Sequence, residues 1–186
     1  MKREDPTQET HQTLSSSRVL RRMYTFVLLI GLSAGAAAQG PAAPELRPLE
    51  RYLGSWTYNG EDKTPGTGGR VTCTTTRRWI SGGYFVESHR TCDTPRGTFE
   101  QVELFGFDFI TREYTYLGFS DRVVSSYRAS SVEGDLVTWT GHGASSGNRC
   151  TEVFSTDRRS AADKCETTEG GNFILRSEGR YNKVAE

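Results

Sequence analysis

Two glycines, Gly82 and Gly83 in the stretch RWISGGYFVE, stand between residues that favour strands. A two-residue glycine loop tolerates the positive φ of a type I′ turn and joins two antiparallel strands in a single register. That register sets Ile80 opposite Phe85, Trp79 opposite Val86, and Arg78 opposite Glu87 as a pair of unlike charges. Carried outward, it sets Cys73 opposite Cys92. Directly opposed strand residues have Cα atoms about 4.5–5.5 Å apart, within reach of a disulfide. Turn chemistry, charge pairing and cysteine placement therefore agree on one hairpin.

The same texture continues along the chain. From Trp56 onward, short stretches rich in Val, Thr, Tyr, Phe and Trp are each closed by Gly, Asp or Asn. Ten strands are expected, near 55–59, 70–80, 84–92, 98–109, 114–120, 123–131, 136–142, 149–155, 161–168 and 172–182. Strands this short and numerous close on themselves, because closure removes exposed edges. The expected fold is all-β, an antiparallel meander barrel of about ten strands, preceded by one short helix within Glu45 to Leu53.

The N-terminus has a different character. Arg18, Arg21 and Arg22 precede the apolar run MYTFVLLIGL, and small residues follow up to Ala36-Ala37-Ala38. A basic region, a short apolar region and an A-x-A site are the marks of a secretory signal peptide. The run is too short for a comfortable membrane span, although an uncleaved anchor is the alternative. The division expected is a leader and signal peptide over 1–38, a Pro/Ala linker over 39–44 and a single barrel domain over 45–186. The leader holds five Lys or Arg and three Asp or Glu, so the 23 basic and 23 acidic residues of the whole chain become 18 and 20. A balance this close to neutral gives no electrostatic reason to expect nucleic acid or an anionic membrane as partner.

All four cysteines, Cys73, Cys92, Cys150 and Cys165, follow the leader. An even count in an exported chain reads as disulfides, while a four-thiolate metal site lacks any C-x-x-C spacing here. Four cysteines allow three connectivities. Beyond Cys73–Cys92, the other two are symmetric about Asp157-Arg158; although that turn lacks a glycine and leaves the register open, an adjacent-strand Cys150–Cys165 bridge is the simplest reading. Secreted or periplasmic localisation follows from leader and cysteines together.

Gly54-Ser55-Trp56, in a first strand after a short helix and before a meander of hairpins, resembles the G-x-W signature of the lipocalin-like (calycin) superfamily. More closely, LGSWTYNGE, RWISGGYFVE, FGFDFITREYTYLGFS, VEGDLVTWTG and KCETTEGGNF resemble an uncharacterised bacterial family of exported lipocalin-like proteins, a domain of unknown function. The resemblance implies that Trp56 closes the base of the barrel, as a plug rather than a ligand contact. It also implies an arginine from the last strand, Arg180 or Arg176, laid across the indole ring.

No catalytic residue is assigned, because G-x-S-x-G, H-E-x-x-H, a phosphate loop and C-x-x-C-H are all absent. The glycine-rich GTGG at 66–69 reads as a loop. A haem site would need an inward histidine, and the hairpin register puts His89 opposite Thr76 on the face shared by Arg78 and Glu87. No cofactor or metal is therefore expected. Along FEQVELFGFDFI, Gln101, Glu103, Phe105, Phe107 and Phe109 alternate onto one face. If the phenylalanines point inward, Glu103 enters the lumen and needs a partner, a raised pKa or a ligand. The competing arrangement, common at strand ends, is a bulge or solvated end that leaves Glu103 outside.

Trp79, Tyr116, Tyr127 and Trp139 are further large aromatics on separate strands, serving either as core filling or as walls of a pocket. Arg128 alternates away from Tyr127 and reads as surface. A barrel of this size can be packed solid or hold one small ligand. Three functional expectations follow. The first is a monomeric binding protein for a small apolar or amphipathic molecule, contacted by Trp79, Gln101, Glu103, Phe105, Tyr116, Tyr127 and Trp139. The second is an enzyme using Glu103 as acid or base, with its pKa raised toward neutrality. The third is a packed barrel whose loops contact an envelope protein.

Overall fold

The computed structural model describes residues 40–185 apart from 122, 130 and 133. The leader and signal peptide expected over 1–38, and the first linker residue, lie outside the described residues. Ten strands follow one another: Gly54–Asp62 (β1), Gly69–Ile80 (β2), Phe85–Thr94 (β3), Gly97–Asp108 (β4), Glu113–Ser120 (β5), Val124–Ala129 (β6), Leu136–Gly141 (β7), Asn148–Phe154 (β8), Ser160–Glu169 (β9) and Asn172–Lys183 (β10). Each pairs antiparallel with its neighbours in the chain, and β10 returns to β1, so the sheet is a closed barrel without an open edge. The all-β meander and its short helix are thus as the sequence predicts.

The helix is a 3-10 helix, Pro44–Tyr52. With three residues per turn, side chains three apart eclipse one another. Leu46, Leu49 and Tyr52 consequently form one row, and all three are fully buried against the barrel. The helix covers one end. Tyr114 donates its hydroxyl to the Glu45 carbonyl at 2.9 Å, Arg51 Nη1 donates to the Gly134 carbonyl at 2.6 Å, and Tyr52 packs edge-on to Phe154.

The Cys73–Cys92 and Cys150–Cys165 disulfides join directly opposed residues of β2–β3 and β8–β9. One local expectation needs correction. The β2–β3 connection is not a two-residue glycine loop; Ser81–Gly83 form a 3-10 turn, with Tyr84 before β3 begins. Ser81, Gly82 and Gly83 all take positive φ (52°, 70° and 87°). The register nevertheless keeps Ile80 opposite Phe85 and Arg78 opposite Glu87, because the loop lengthens by one residue on each side.

Arg78 Nη2 lies 3.0 Å from Glu87 Oε2 on the outer face, where His89 Nε2 also approaches that oxygen at 3.3 Å. Arg128 is likewise outside, paired with Asp108 and Glu113. Inside, close packing is achieved partly by omission. A Cβ on Gly179 would lie 2.5 Å from the Tyr58 ring, so glycine there makes room for the phenol.

Candidate functional site

The barrel interior is not filled. A cavity of about 310 Å³ lies within it, lined by aromatic rings, by both disulfides and by five charged side chains, Arg77, Arg90, Glu103, Glu152 and Asp163. It reaches Val71, Phe99 and Ser125, which lie near the starts of β2, β4 and β6 at the end away from the 3-10 helix.

Strand alternation places each of these groups. Tyr58 is opposite Cys73, and Trp56 opposite Thr75, so the cysteine face of β2 is the lumen face. Arg77 follows on that face by alternation, Arg90 shares a face with Cys92, Glu152 with Cys150, and Asp163 with Cys165.

Glu103 is the centre of one polar network. It is 1% exposed. Ser88 donates to Oε2 at 2.7 Å; Tyr116 and Gln101 donate to Oε1 at 3.0 and 3.3 Å. Arg90 Nη1 stands 3.2 Å from Oε1, and Arg77 Nη2 stands 3.8 Å from Oε2. Burial alone would raise the Glu103 pKa, but the two guanidiniums and the hydroxyl donors outweigh it and hold the group below the usual carboxylate range. The guanidiniums in turn lie over aromatic rings. Arg77 is 5.4–5.5 Å from the ring centres of Tyr52, Phe105 and Tyr181, and Arg90 is 5.3 Å from that of Tyr181.

A second network surrounds Glu152, whose Oε2 accepts from Tyr52 at 2.5 Å and from Trp139 Nε1 at 3.0 Å. Asp163 stands directly opposite Glu152 on the neighbouring strand. Burial, and then the nearby Glu152 charge, push the Asp163 pKa up to about 7. Arg90 Nε and Thr75 Oγ1 are buried without a hydrogen-bond partner.

Of the residues singled out from the sequence, Gln101, Glu103, Phe105, Tyr116, Tyr127 and Trp139 line the cavity together. Phe105, Tyr116 and Tyr127 form a chain of edge-to-face rings with centres 5.1 and 5.6 Å apart. Glu103 does not lie outside, since β4 runs unbroken past it to Asp108. Trp79 is not a cavity residue. It sits on β2 opposite Val86, one residue from the strand end nearest the helix, and is only half-buried. Phe109 falls in the turn after β4 and is 48% exposed, so the inward row ends before it.

The arginine expected over Trp56 is also corrected. Arg180 pairs with Asn59, is exposed, and donates to Ser160 Oγ at 3.4 Å. Trp56 pairs with Lys183, whose Nζ lies 5.6 Å from the indole centre. Arg180 is an odd number of positions from Lys183, so β10 turns it to the opposite face. Arg176 instead forms an ion pair with Glu169. The indole is 1% exposed and its Nε1 donates to the Tyr52 and Leu53 carbonyls at 2.9 and 3.2 Å, satisfying groups left free at the end of the helix.

Tyr58, Arg77, Arg90, Glu152 and Asp163 were not among the residues singled out from the sequence. For Arg77, Arg90, Glu152 and Asp163 the signal is an even spacing from a cysteine on the same strand: once two adjacent strands are bridged on their lumen side, every second residue from each cysteine points inward. Tyr58 follows as the residue opposite Cys73 on β1.

A comparison with curated proteins finds no match. Among solved structures, the crystal structure of Rv2717c from M. tuberculosis is similar in fold, with a TM-score of 0.58 and 12% identity over 77% of this chain and 99% of that one. The sequence pattern of the family described as "Protein of unknown function (DUF1579)" matches residues 42–153, from the start of the helix segment into β8, and the chain belongs to that family.

Proposed function

We propose that this protein is an exported, lipocalin-like carrier that holds one small apolar or amphipathic molecule inside its barrel. The observation that carries this reading is the cavity itself. Its volume of about 310 Å³ falls at the lower end of small-molecule sites, roughly 300–1,000 Å³. Its lining joins a continuous aromatic wall to a few polar groups, the composition by which such sites bind and orient a ligand. A barrel built only to present loops to another protein has no use for an unfilled, charged interior.

Export is supported by the two disulfides, which persist in oxidising compartments, and by the leader read from the sequence. No described helix is long and apolar enough to cross a membrane. The near balance of acidic and basic residues favours a small molecule over nucleic acid as partner. We take the working unit to be the monomer, without cofactor or metal.

A reaction driven by Glu103 draws no support from the site, because a lumen acid or base needs a pKa near neutrality and this one is held low. The carrier reading is tested by native mass spectrometry of the protein purified from its own host, before and after denaturing extraction. A reproducible mass excess lost on extraction is the expected result. A clean mass, lighter only by the hydrogens of two disulfides, counts against it.

A further inference from the structure

The charges of the lumen do not balance. Both guanidiniums, Arg77 and Arg90, turn to Glu103. Among the described residues no cationic side chain forms an ion pair with Glu152 or Asp163, although these two carboxyls oppose one another on β8 and β9. Both hydrogen bonds to Glu152 land on Oε2, which leaves Oε1 available to the lumen. No described residue donates a hydrogen bond to the Asp163 carboxyl, and both acids line the cavity. Two neighbouring carboxyls shielded from bulk water do not both stay ionised without a counter-charge. In the empty barrel a proton meets that need. An occupant carrying its own positive charge meets it better, and the Tyr127 and Trp139 rings lining the same cavity suit a cation, whereas those of Tyr58 and Tyr181 already lie beside the Arg90 and Arg77 guanidiniums. An anion would instead face three carboxyls, and the two guanidiniums of the described lining already pair through their Nη atoms with Glu103, leaving only Arg90 Nε without a partner.

We infer that the molecule held in the lumen is an amphipathic organic cation, an amine whose ammonium group lies between Asp163 and Glu152 and whose apolar body lies along the aromatic wall. This rests on the carrier reading above and names its ligand class. It makes binding depend on pH through Asp163. The groups facing that carboxyl are Glu152 from β8, Tyr58 from β1, Arg77 and Arg90 from β2 and β3, Glu103 from β4 and Tyr127 from β6; from β10 the opposed residue is Gly179, and Tyr181 lines the same cavity. An ammonium group competes with the proton that Asp163 holds below about pH 7.

Three probes alike in ring and reach separate the possibilities: 2-phenylethylamine, 2-phenylethanol and 3-phenylpropionate. The full disulfide-bonded chain is titrated with each by calorimetry, at several pH values and in two buffers of different ionisation heat. At pH 8 the amine should bind at least about tenfold tighter than the alcohol, the margin of a charge-assisted hydrogen bond over a neutral one. That margin should shrink as the pH falls through about 7, with protons released on binding near that pH. Asp163→Asn should abolish the preference for the amine over the alcohol, and Glu152→Gln provides the same comparison should the first variant fold poorly. An amine no tighter than the alcohol, or a propionate tightest of the three, overturns the cation assignment while lumen binding stands. Failure of all three probes to bind also overturns it, and the carrier reading is then decided separately by the mass excess of the host-derived protein.

Discussion

Arg90 and Glu103 meet inside the barrel, Nη1 to Oε1 at 3.2 Å, on adjacent strands β3 and β4, with Arg77 reaching the same carboxylate from β2. A buried carboxylate with two guanidiniums and three hydrogen-bond donors is a structural hub. Removing one member leaves the others charged and unpaired in a poorly solvated space.

Glu103→Ala should therefore destabilise the fold by roughly 3–5 kcal/mol, the range for breaking a buried pair from one side. The Glu103 pKa is depressed, so the unfolded chain takes up its proton first as the pH falls. Its stabilisation is present above the usual carboxylate range and is lost as the pH drops through the folded value. Urea titrations between pH 7 and pH 3 should show the acid-side loss of stability reduced in Glu103→Gln. An unchanged acid limb would falsify the hub assignment.

Asp163 carries the opposite sign. Its folded pKa of about 7 lies above the ordinary value of 3.8, so the native state holds the proton that the unfolded chain gives up. In the empty protein this group lowers stability as the pH rises from about 4 to about 7, and no further above that. Asp163→Asn should stabilise the empty barrel at pH 8 by about 1–3 kcal/mol and change little at pH 4. Paired denaturant curves at the two pH values measure the difference directly.

The two disulfides span 19 and 15 residues. Each should contribute about 3 kcal/mol, chiefly by restricting the unfolded chain. Cys73→Ala/Cys92→Ala and Cys150→Ala/Cys165→Ala should each lower the melting temperature in scanning calorimetry. Equal melting of either double variant and the parent would show that the bridge contributes nothing.

Trp56 and Arg180 should behave in contrasting ways. Trp56→Ala removes a buried indole together with its bonds to two helix-end carbonyls, and should cost roughly 3–5 kcal/mol. Arg180→Ala, on the outer face, should stay within about 0.5 kcal/mol of the parent. Thermal melts of the two variants side by side distinguish this from an arginine laid across the ring.

Much of the barrel was legible before any coordinates. The ten strands were readable because turn residues punctuate them and because alternation acts between neighbours in the chain. Cys73–Cys92 followed from one hairpin register, which held even though its loop proved longer. The site was legible only along single strands. Gln101, Glu103 and Phe105 shared a face by simple alternation, and they do line the cavity. What escaped was the other half of the lining, Arg77, Arg90, Glu152 and Asp163, since a lone charged residue in a strand reads as a solvated face.

By itself, then, the sequence determined the fold class, the order of the strands and the Cys73–Cys92 bridge, all of which depend on contacts between segments close in the chain. The register that joins Cys150 to Cys165 across a turn without glycine was fixed by the structure. Tertiary structure decided which charges share the lumen. Closure of β10 onto β1 put Lys183 rather than Arg180 over Trp56. Convergence of β2, β3 and β4 gave both arginines to Glu103 and left Asp163 without an ion-pair partner among the described residues, its pKa pushed up to about 7 by burial and the nearby Glu152 charge. The physical reason is that a group's charge state depends on everything within a few ångströms and on the water excluded around it, and neither exists until the barrel has closed.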